Sequence, residues 1–167
     1  MTKLQNLDRV VHRSLRVQEE TAFEVCRDTT MCVITLNEIT RLVLEYPLAF
    51  TRPVENGPFV CVALFGVDPS ENLYWRNGRW DAEYLPLNIA RQPFAVSSTA
   101  PTTADAVGGV VACLDVENPG IQETEGERLF PDDGKETPYL EYKLRLLREL
   151  VEGELQSGAF VSRLMEL

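Results

Sequence analysis

An apolar run from Pro58 to Val67 constrains the fold more than any other stretch of this chain. The run is rich in β-branched and aromatic residues and is too short for a free-standing helix, so we predict a central strand that is buried on both faces. Asp68-Pro69-Ser70 follows it directly. Because proline fixes φ and aspartate can bond its own backbone two residues on, the chain is expected to reverse direction there.

A β-hairpin is predicted after this turn. Asn77-Gly78 is the dipeptide that best tolerates the two positive φ angles of a type I′ turn. With a two-residue loop, Trp75 faces Trp80 across the hairpin, and aromatic pairs favour that arrangement. The two rings either anchor the hairpin by packing against each other or offer a surface on which a ligand stacks.

A short helix is predicted before the central strand. Thr35 and Glu38 have the spacing of a capping box, in which each side chain satisfies a backbone N–H of the other residue. The helix should begin at Leu36 and stop near Tyr46, because Pro47 restricts the conformation of the residue before it.

Two amphipathic helices are predicted at the C-terminal end of the chain. Thr137-Pro138 places an N-cap residue and a proline in the positions that helices prefer. Apolar residues then recur at spacings of three and four to about Glu152, where Gly153 is expected to weaken the helix. A second piece, Ala159 to Leu167, is apolar enough to favour a docked or oligomerising helix.

With further strands at Leu48 to Phe50 and Val110 to Leu114, these elements predict an α+β fold. We expect a mostly antiparallel sheet, with a short helix before the core strands and the C-terminal helices packed on it. A chain of 167 residues is long enough for one domain, 1–167, with a single core. Three of its parts are expected to be an extended N-terminal segment, a flexible loop and the C-terminal helices, at residues 1–30, 97–109 and 137–167.

The net charge of −10 is the most informative value in the composition. An acidic surface repels phosphate backbones and anionic lipid, which excludes nucleic acid as a partner and leaves basic peptides or cations as possible ones. No apolar run approaches the length of a bilayer span, and the N-terminus lacks the apolar segment of a secretory signal. We therefore expect a soluble protein of the cytoplasm with no membrane insertion.

The four cysteines show no metal-binding spacing, and we expect them to be reduced structural thiols. His12 is the single histidine, so the usual zinc sites and a Ser-His-Asp site lack ligands and bases. We predict no metal and no cofactor. A cysteine nucleophile paired with His12 stays open as an alternative. The paired aspartates before Gly134 fit a solvated turn better than a calcium loop, whose other oxygen ligands are missing.

The order and spacing of several short motifs between residues 12 and 140 resemble the SapC family of bacterial proteins. The motifs include His-x-x-Leu-Arg at His12 to Arg16, a glutamate before a Tyr-Pro strand, Glu-Asn-Leu and Gly-x-Trp. They continue with Arg-x-Pro-Phe and a Glu-Gly-x-x-Leu-Phe block that ends in Thr-Pro. In this sequence they contain Glu38, Tyr46, Pro47, Asn72, Trp80, Arg91, Phe94, Gly126, Phe130, Thr137 and Pro138.

The chain departs from the family pattern in two ways. Members tend to carry consecutive arginines and an aromatic residue before Pro-Phe, whereas here any anion contact would depend on Arg91 alone. Members also usually continue beyond the point where this chain ends, so we expect a short or C-terminally truncated member. The resemblance implies a poorly defined accessory role, because members often occur beside tryptophan-halogenase-like proteins, cupin-like hydroxylases and outer-membrane receptors.

Three hypotheses for the function follow, and the first is favoured. The chain is a soluble accessory protein that binds a peptide or protein partner, an enzyme that modifies peptides, or a structural module that forms homo-oligomers through its C-terminal helices. The enzyme hypothesis needs His12, Glu38, Arg91 and Asp115 to meet in one cleft. The candidate ligand-binding residues are His12, Arg16, Glu38, Asn72, Trp75, Trp80, Arg91 and Asp115.

Several of these candidates also have a local structural explanation. Glu38 belongs to the capping box, Asn72 fits a turn at the entry to a strand, and Asp115 ends a strand where a carboxylate can bond free N–H groups. Arg91 is the candidate that local structure explains least.

Overall fold

The structure, a computed structural model, describes residues 2–97, 111–131 and 134–166. The chain divides into two compact units. The first unit comprises Met1–Val25 and Arg91–Arg148, and the second comprises Cys26–Ala90 and Glu149–Leu167. The single domain expected from the chain length stays a prediction.

Most strands are short. In chain order, β1 to β11 occupy Leu4–Asn6, Arg16–Val17, Met31–Val33, Leu48–Thr51, Val60–Leu64, Trp75–Arg76, Arg79–Trp80, Phe94–Ser97, Val111–Asp115, Ile121–Gln122 and Glu127–Arg128. The α-helices α1 to α4 occupy Glu19–Ala22, Ile39–Leu42, Leu87–Ala90 and Pro138–Leu164. Two turns of 3-10 helix lie at Phe23–Cys26 and Leu36–Glu38.

The first unit contains two antiparallel sheets of three strands, ordered β1-β9-β8 and β10-β2-β11. The predicted strand after residue 109 is confirmed as β9, which is central in its sheet. Cys113 on β9 pairs with Asn6 on one side and Ala95 on the other. The core of this unit consists of Val17, Ala22, Phe94, Leu114, Leu129, Phe130, Leu140 and Leu147.

The second unit is organised around the strand that the sequence predicts from its apolar run. β5 is central in the antiparallel sheet β3-β5-β4, and its three middle residues are buried. Val62 pairs with Val33 on β3 and with Ala49 on β4. The buried central strand, the strand after Pro47 and the α+β fold class with antiparallel sheets are therefore confirmed.

The predicted hairpin is present as β6 and β7. Asn77 and Gly78 have φ angles of 53° and 78°, as a type I′ turn requires, and Trp75 pairs with Trp80. The expected stacking of the two tryptophans is wrong, because Trp80 instead contacts Phe65 and Tyr74. Among the described residues, Trp75 takes part in no ring pair. Cross-strand register alone does not decide which ring a tryptophan contacts when the core offers other aromatic partners.

The capping box at Thr35 is confirmed. Glu38 Oε2 accepts hydrogen bonds from the Thr35 N–H and from the Thr35 hydroxyl, each at 2.9 Å. A 3-10 turn opens the helical segment, and α2 follows it directly. Single turns carry the chain from the end of α2 to Tyr46, whose N–H donates to Leu42 O at 2.8 Å, so regular helix ends earlier than predicted.

One long helix, α4, replaces the two C-terminal helices that the sequence predicts. Its start is as expected, because the Leu140 N–H donates to Thr137 Oγ1 at 3.2 Å. Gly153 does not end the helix. A Cβ added at Gly153 would lie 2.6 Å from Thr35 Cβ, so this glycine allows the helix to approach the Thr35 segment closely. The predicted interruption at Gly153 is wrong, because this glycine allows close packing and does not end the helix.

The N-terminal segment, expected to be extended, contains β1 and β2 and then helical turns over residues 19–26. Glu19 and Glu20 lie in the first turn of α1, where negative charge complements the helix dipole. The predicted flexible loop at 97–109 lies outside the described residues apart from Ser97, which ends β8.

We predict opposite effects for alanine at two glycines of α4. Gly153→Ala should lower the free energy of unfolding by about 1–3 kcal/mol, because the new methyl group overpacks a tight contact. Gly158→Ala should leave stability unchanged or raise it by up to about 1 kcal/mol, because alanine favours helix. Nothing lies within 4 Å of a Cβ at Gly158, which makes it the matched control. Urea denaturation of both variants measures the effect, and equal changes would contradict the close approach.

Candidate functional site

The structure divides the sequence-predicted site residues between the two units. His12, Arg16, Arg91 and Asp115 belong to the first unit. Glu38, Asn72, Trp75 and Trp80 belong to the second unit. The four residues of the hypothetical catalytic cleft therefore come from both units, with Glu38 in the second unit and the other three in the first.

His12 is buried and bonded on both ring nitrogens. Nδ1 accepts a hydrogen bond from the Asp8 N–H at 3.0 Å, and Nε2 lies 3.3 Å from Gln5 Oε1. The ring is therefore neutral, with its proton on Nε2 directed to the glutamine. Burial lowers the pKa of His12, and the nearby Asp8 carboxylate opposes that effect only in part. This geometry stabilises the N-terminal segment and leaves neither nitrogen open for proton transfer.

The other first-unit candidates bond to nearby backbone. Asp115 Oδ1 accepts from the Lys3 N–H at 2.8 Å and from the Glu117 N–H at 3.2 Å, as a strand-end carboxylate does. Arg16 donates from Nη1 to Gly126 O at 3.0 Å. Arg91, which local sequence does not explain, donates from Nη1 to Phe94 O at 2.5 Å. Each side chain thus holds a turn or a strand end in place.

The polar candidates of the second unit also have structural partners. Glu38 is buried, and in addition to its two bonds with Thr35 its Oε1 accepts from the Leu87 N–H at 2.7 Å. Asn72 accepts from the Tyr74 N–H at 3.0 Å and donates to Cys26 O at 3.1 Å. Glu38 therefore caps the start of α3 as well as the Thr35 turn.

Trp80 belongs to an aromatic cluster in the second unit. Its ring lies edge-on to Phe65, with centroids 4.9 Å apart, and nearly parallel to Tyr74 at 6.4 Å. Trp80 Nε1 donates to the Tyr46 hydroxyl at 2.9 Å, which donates in turn to Tyr84 O at 2.7 Å. Burial raises the pKa of Tyr84 to about 12. The rings are engaged with one another, so the cluster acts as core.

A buried lysine is the most unusual feature of the first unit. The Lys143 side chain has 0% of its surface exposed, forms an ion pair with Glu19 and donates to Gln92 O at 3.2 Å. Its ammonium also lies 5.3 Å from the Phe23 ring centroid and 5.4 Å from that of Tyr139. Cation–π contacts of this kind are strongest when the cation has lost its water.

Burial lowers the pKa of Lys143, and the Glu19 carboxylate counteracts that effect. The neighbouring Tyr139 hydroxyl is buried without a hydrogen-bond partner among the described residues. Because the Lys143 amine is sealed from solvent, it cannot reach a substrate in this conformation. Lys143 therefore has a structural role, as the partner of Glu19 in an ion pair surrounded by aromatic rings.

The second unit has a small groove that is open to solvent. It has a volume of about 220 Å³ and lies between the segment before β5 and the end of α4. Arg52, Pro58 and Phe59 line it on the strand side. Val161, Ser162 and Met165 line it on the helix side.

Arg52 is the charged residue of this groove. Its guanidinium carbon lies 4.2 Å from the Phe59 ring centroid, which is stacking distance. No carboxylate of the described residues lies within ion-pair distance of Arg52. The groove therefore combines an apolar floor with an exposed cation at its rim.

The end of α4 carries further exposed apolar side chains. Met165 is 57% exposed, while Phe160 and Leu164 are each 43% exposed. Ala159, Phe160, Arg163 and Leu164 line a second, wider depression on the same helix. Apolar residues concentrated at one helix end are typical of an interaction surface.

Lys143 and the groove were both missed from the sequence, and only Lys143 has a signal in it. Lys143 lies on the same helical face as Leu140 and Leu147, so a charged residue interrupts an apolar stripe. Arg52 lies in the turn between two predicted strands, Leu48 to Phe50 and the run that begins at Pro58. No residue spacing shows that this turn meets the last turns of α4.

No group of three or more potential metal ligands occurs among the described residues. All four cysteines are buried, and no disulfide joins them. No helix in the described part of the chain has both the length and the apolar composition needed to cross a bilayer.

The architecture is that of an α+β protein with antiparallel sheets, and its family is established by comparison. The SapC family model matches residues 7–167, which is nearly the entire chain. The chain belongs to the SapC family. Searches of the curated proteins and of the solved structures found no match.

We predict that replacing Glu19 lowers stability more than replacing Lys143, its partner in the ion pair. Glu19→Gln should lower the free energy of unfolding by about 1–3 kcal/mol, which is less than for a fully buried pair because Glu19 is partly exposed. Lys143→Met should cost less, because it removes the buried charge and keeps the packing. Glu20→Gln is the control, because Glu20 is the adjacent residue and is exposed. It should change the free energy of unfolding little. A larger loss for Lys143→Met would contradict this assignment.

His12 should make stability depend on pH. Its folded pKa is below the ordinary value of 6.5, so the unfolded chain binds a proton more readily and stability falls as the pH drops below about 6.5. His12→Asn keeps an acceptor for the Asp8 N–H but does not titrate. The free energy of unfolding of the unaltered protein exceeds that of this variant, and the difference should shrink as the pH falls from about 7 to about 5. Urea denaturation across that range measures it, and a constant advantage would be the contrary result.

Proposed function

We propose that this SapC-family chain binds a peptide or protein partner through the groove between the segment before β5 and the end of α4. The observation that carries the proposal is an open apolar groove beside exposed Met165, rimmed by a cation that lacks a described carboxylate partner. Partner binding would cover this surface and leave the core of the second unit intact.

The size of the groove favours a peptide side chain as its occupant. Pockets for drug-sized ligands usually measure about 300–1,000 Å³. At about 220 Å³ the groove is smaller, and its floor of Phe59, Val161 and Met165 suits one or two apolar side chains of a peptide. An anchor residue held in such a pocket commonly supplies most of the binding energy.

The enzyme alternative has less support. His12, Glu38, Arg91 and Asp115 each take part in local hydrogen bonds that hold turns or strand ends. A catalytic role would require them to leave those bonds or to act through them. The oligomer alternative depends on the same helix end and is separated from peptide binding by the experiment below.

Selection of a phage-displayed library of random peptides against the whole chain tests the proposal. We expect selected peptides, synthesised with a fluorescent label, to bind the unaltered protein in fluorescence-polarisation titrations. Met165→Glu should weaken binding about tenfold or more, because it places a charge on the apolar floor.

Leu155→Glu is the matched control for that variant. Leu155 lies on the same helix and is at least as exposed, but it does not line the groove. The control should bind peptides like the unaltered protein. Failure to select any peptide, or equal losses in both variants, would count against the groove. A concentration-dependent dimer that Met165→Glu abolishes would favour the oligomer alternative.

A further inference from the structure

We infer that the groove selects an acidic segment, in which an apolar side chain lies next to a carboxylate. This inference depends on the proposed function and names the chemistry of the partner. It follows from the charge of the residues that line the two depressions of the second unit.

Arg52 can bind a carboxylate of the partner. Its guanidinium is exposed, lies over the Phe59 ring and has no ion-pair partner among the described residues. The N–H donors of a guanidinium lie at the edge of its plane, where a carboxylate can accept two of them. The apolar floor beside it would hold the neighbouring side chain of the same segment.

The charged side chains that line the two depressions are positive. Arg52 is the charged lining residue of the groove, and Arg163 is the charged lining residue of the wider depression. Both are cations in a chain whose net charge is −10. Cationic residues beside both depressions of an acidic chain favour an anionic partner at this surface.

The net charge acts at longer range than these arginines. Salt screens charges beyond about 8–10 Å at physiological ionic strength, so the acidic surface affects mainly the approach of a partner. Once a segment lies in the groove, the nearest charge decides which side chain is favoured. A lysine beside Arg52 would be repelled, whereas an aspartate or glutamate would be paired.

A second copy of the chain is a less suitable occupant. Each copy carries a net charge of −10, so two copies repel each other as they approach. A short acidic segment presents its carboxylates locally and carries far less total charge. We therefore assign the groove to a peptide segment with an apolar anchor flanked by acidic residues.

Three synthetic peptides test this assignment. Each has a central Leu-Phe pair, flanked on both sides by aspartates, asparagines or lysines. The aspartate peptide should bind the whole chain most tightly and the lysine peptide least, in fluorescence-polarisation titrations at low salt. Because the contact is exposed, we expect a modest preference of about two- to fivefold for aspartate over asparagine, which added salt reduces.

Arg52→Gln should abolish the preference, so that the variant binds the aspartate and asparagine peptides with equal affinity. Arg79→Gln, on the hairpin, is the matched control because Arg79 does not line the groove, and it should keep the preference. Equal binding of the three peptides, with binding still lost in Met165→Glu, would overturn this inference and leave the proposed function standing. Absence of binding by the aspartate peptide, or its retention in Met165→Glu, would also overturn the inference.

Discussion

The second unit depends on one buried carboxylate. Glu38 accepts hydrogen bonds from the backbone and hydroxyl of Thr35 and from the backbone of Leu87, which joins two segments far apart in sequence. Gly153 lets α4 approach Thr35 closely, and Ser157 accepts from the N–H that follows Thr35. Without these donors the Glu38 carboxylate would be costly to bury, so the carboxylate and the segments that bond to it become ordered together. We call these contacts the Glu38 node.

The Glu38 node also determines where the groove lies. It holds the middle of α4 against the Thr35 segment, so the turns that follow Ser157 continue beyond it toward the segment before β5. Val161 is buried there, but Met165 and its neighbours remain exposed. The proposed binding surface is thus built on the last turns of a long helix and on the segment that leads into β5.

The sequence predicts those features of the fold that depend on local chemistry. The hairpin at Asn77-Gly78, the capping box at Thr35 and the buried strand β5 each follow from neighbouring residues. The break at Gly153 and the stacking of the tryptophans were wrong, because both depend on contacts with residues distant in the chain. The groove could not be predicted for the same reason.

The buried position of Lys143 has a consequence for chemical modification. The chain contains three lysines, and Lys3 and Lys135 are exposed while the Lys143 amine is sealed by Glu19 and aromatic rings. Acylating reagents and cross-linkers that attack amines should therefore react first at the exposed pair. Acylation at Lys143 requires the first unit to open, so its rate reports how often that opening occurs.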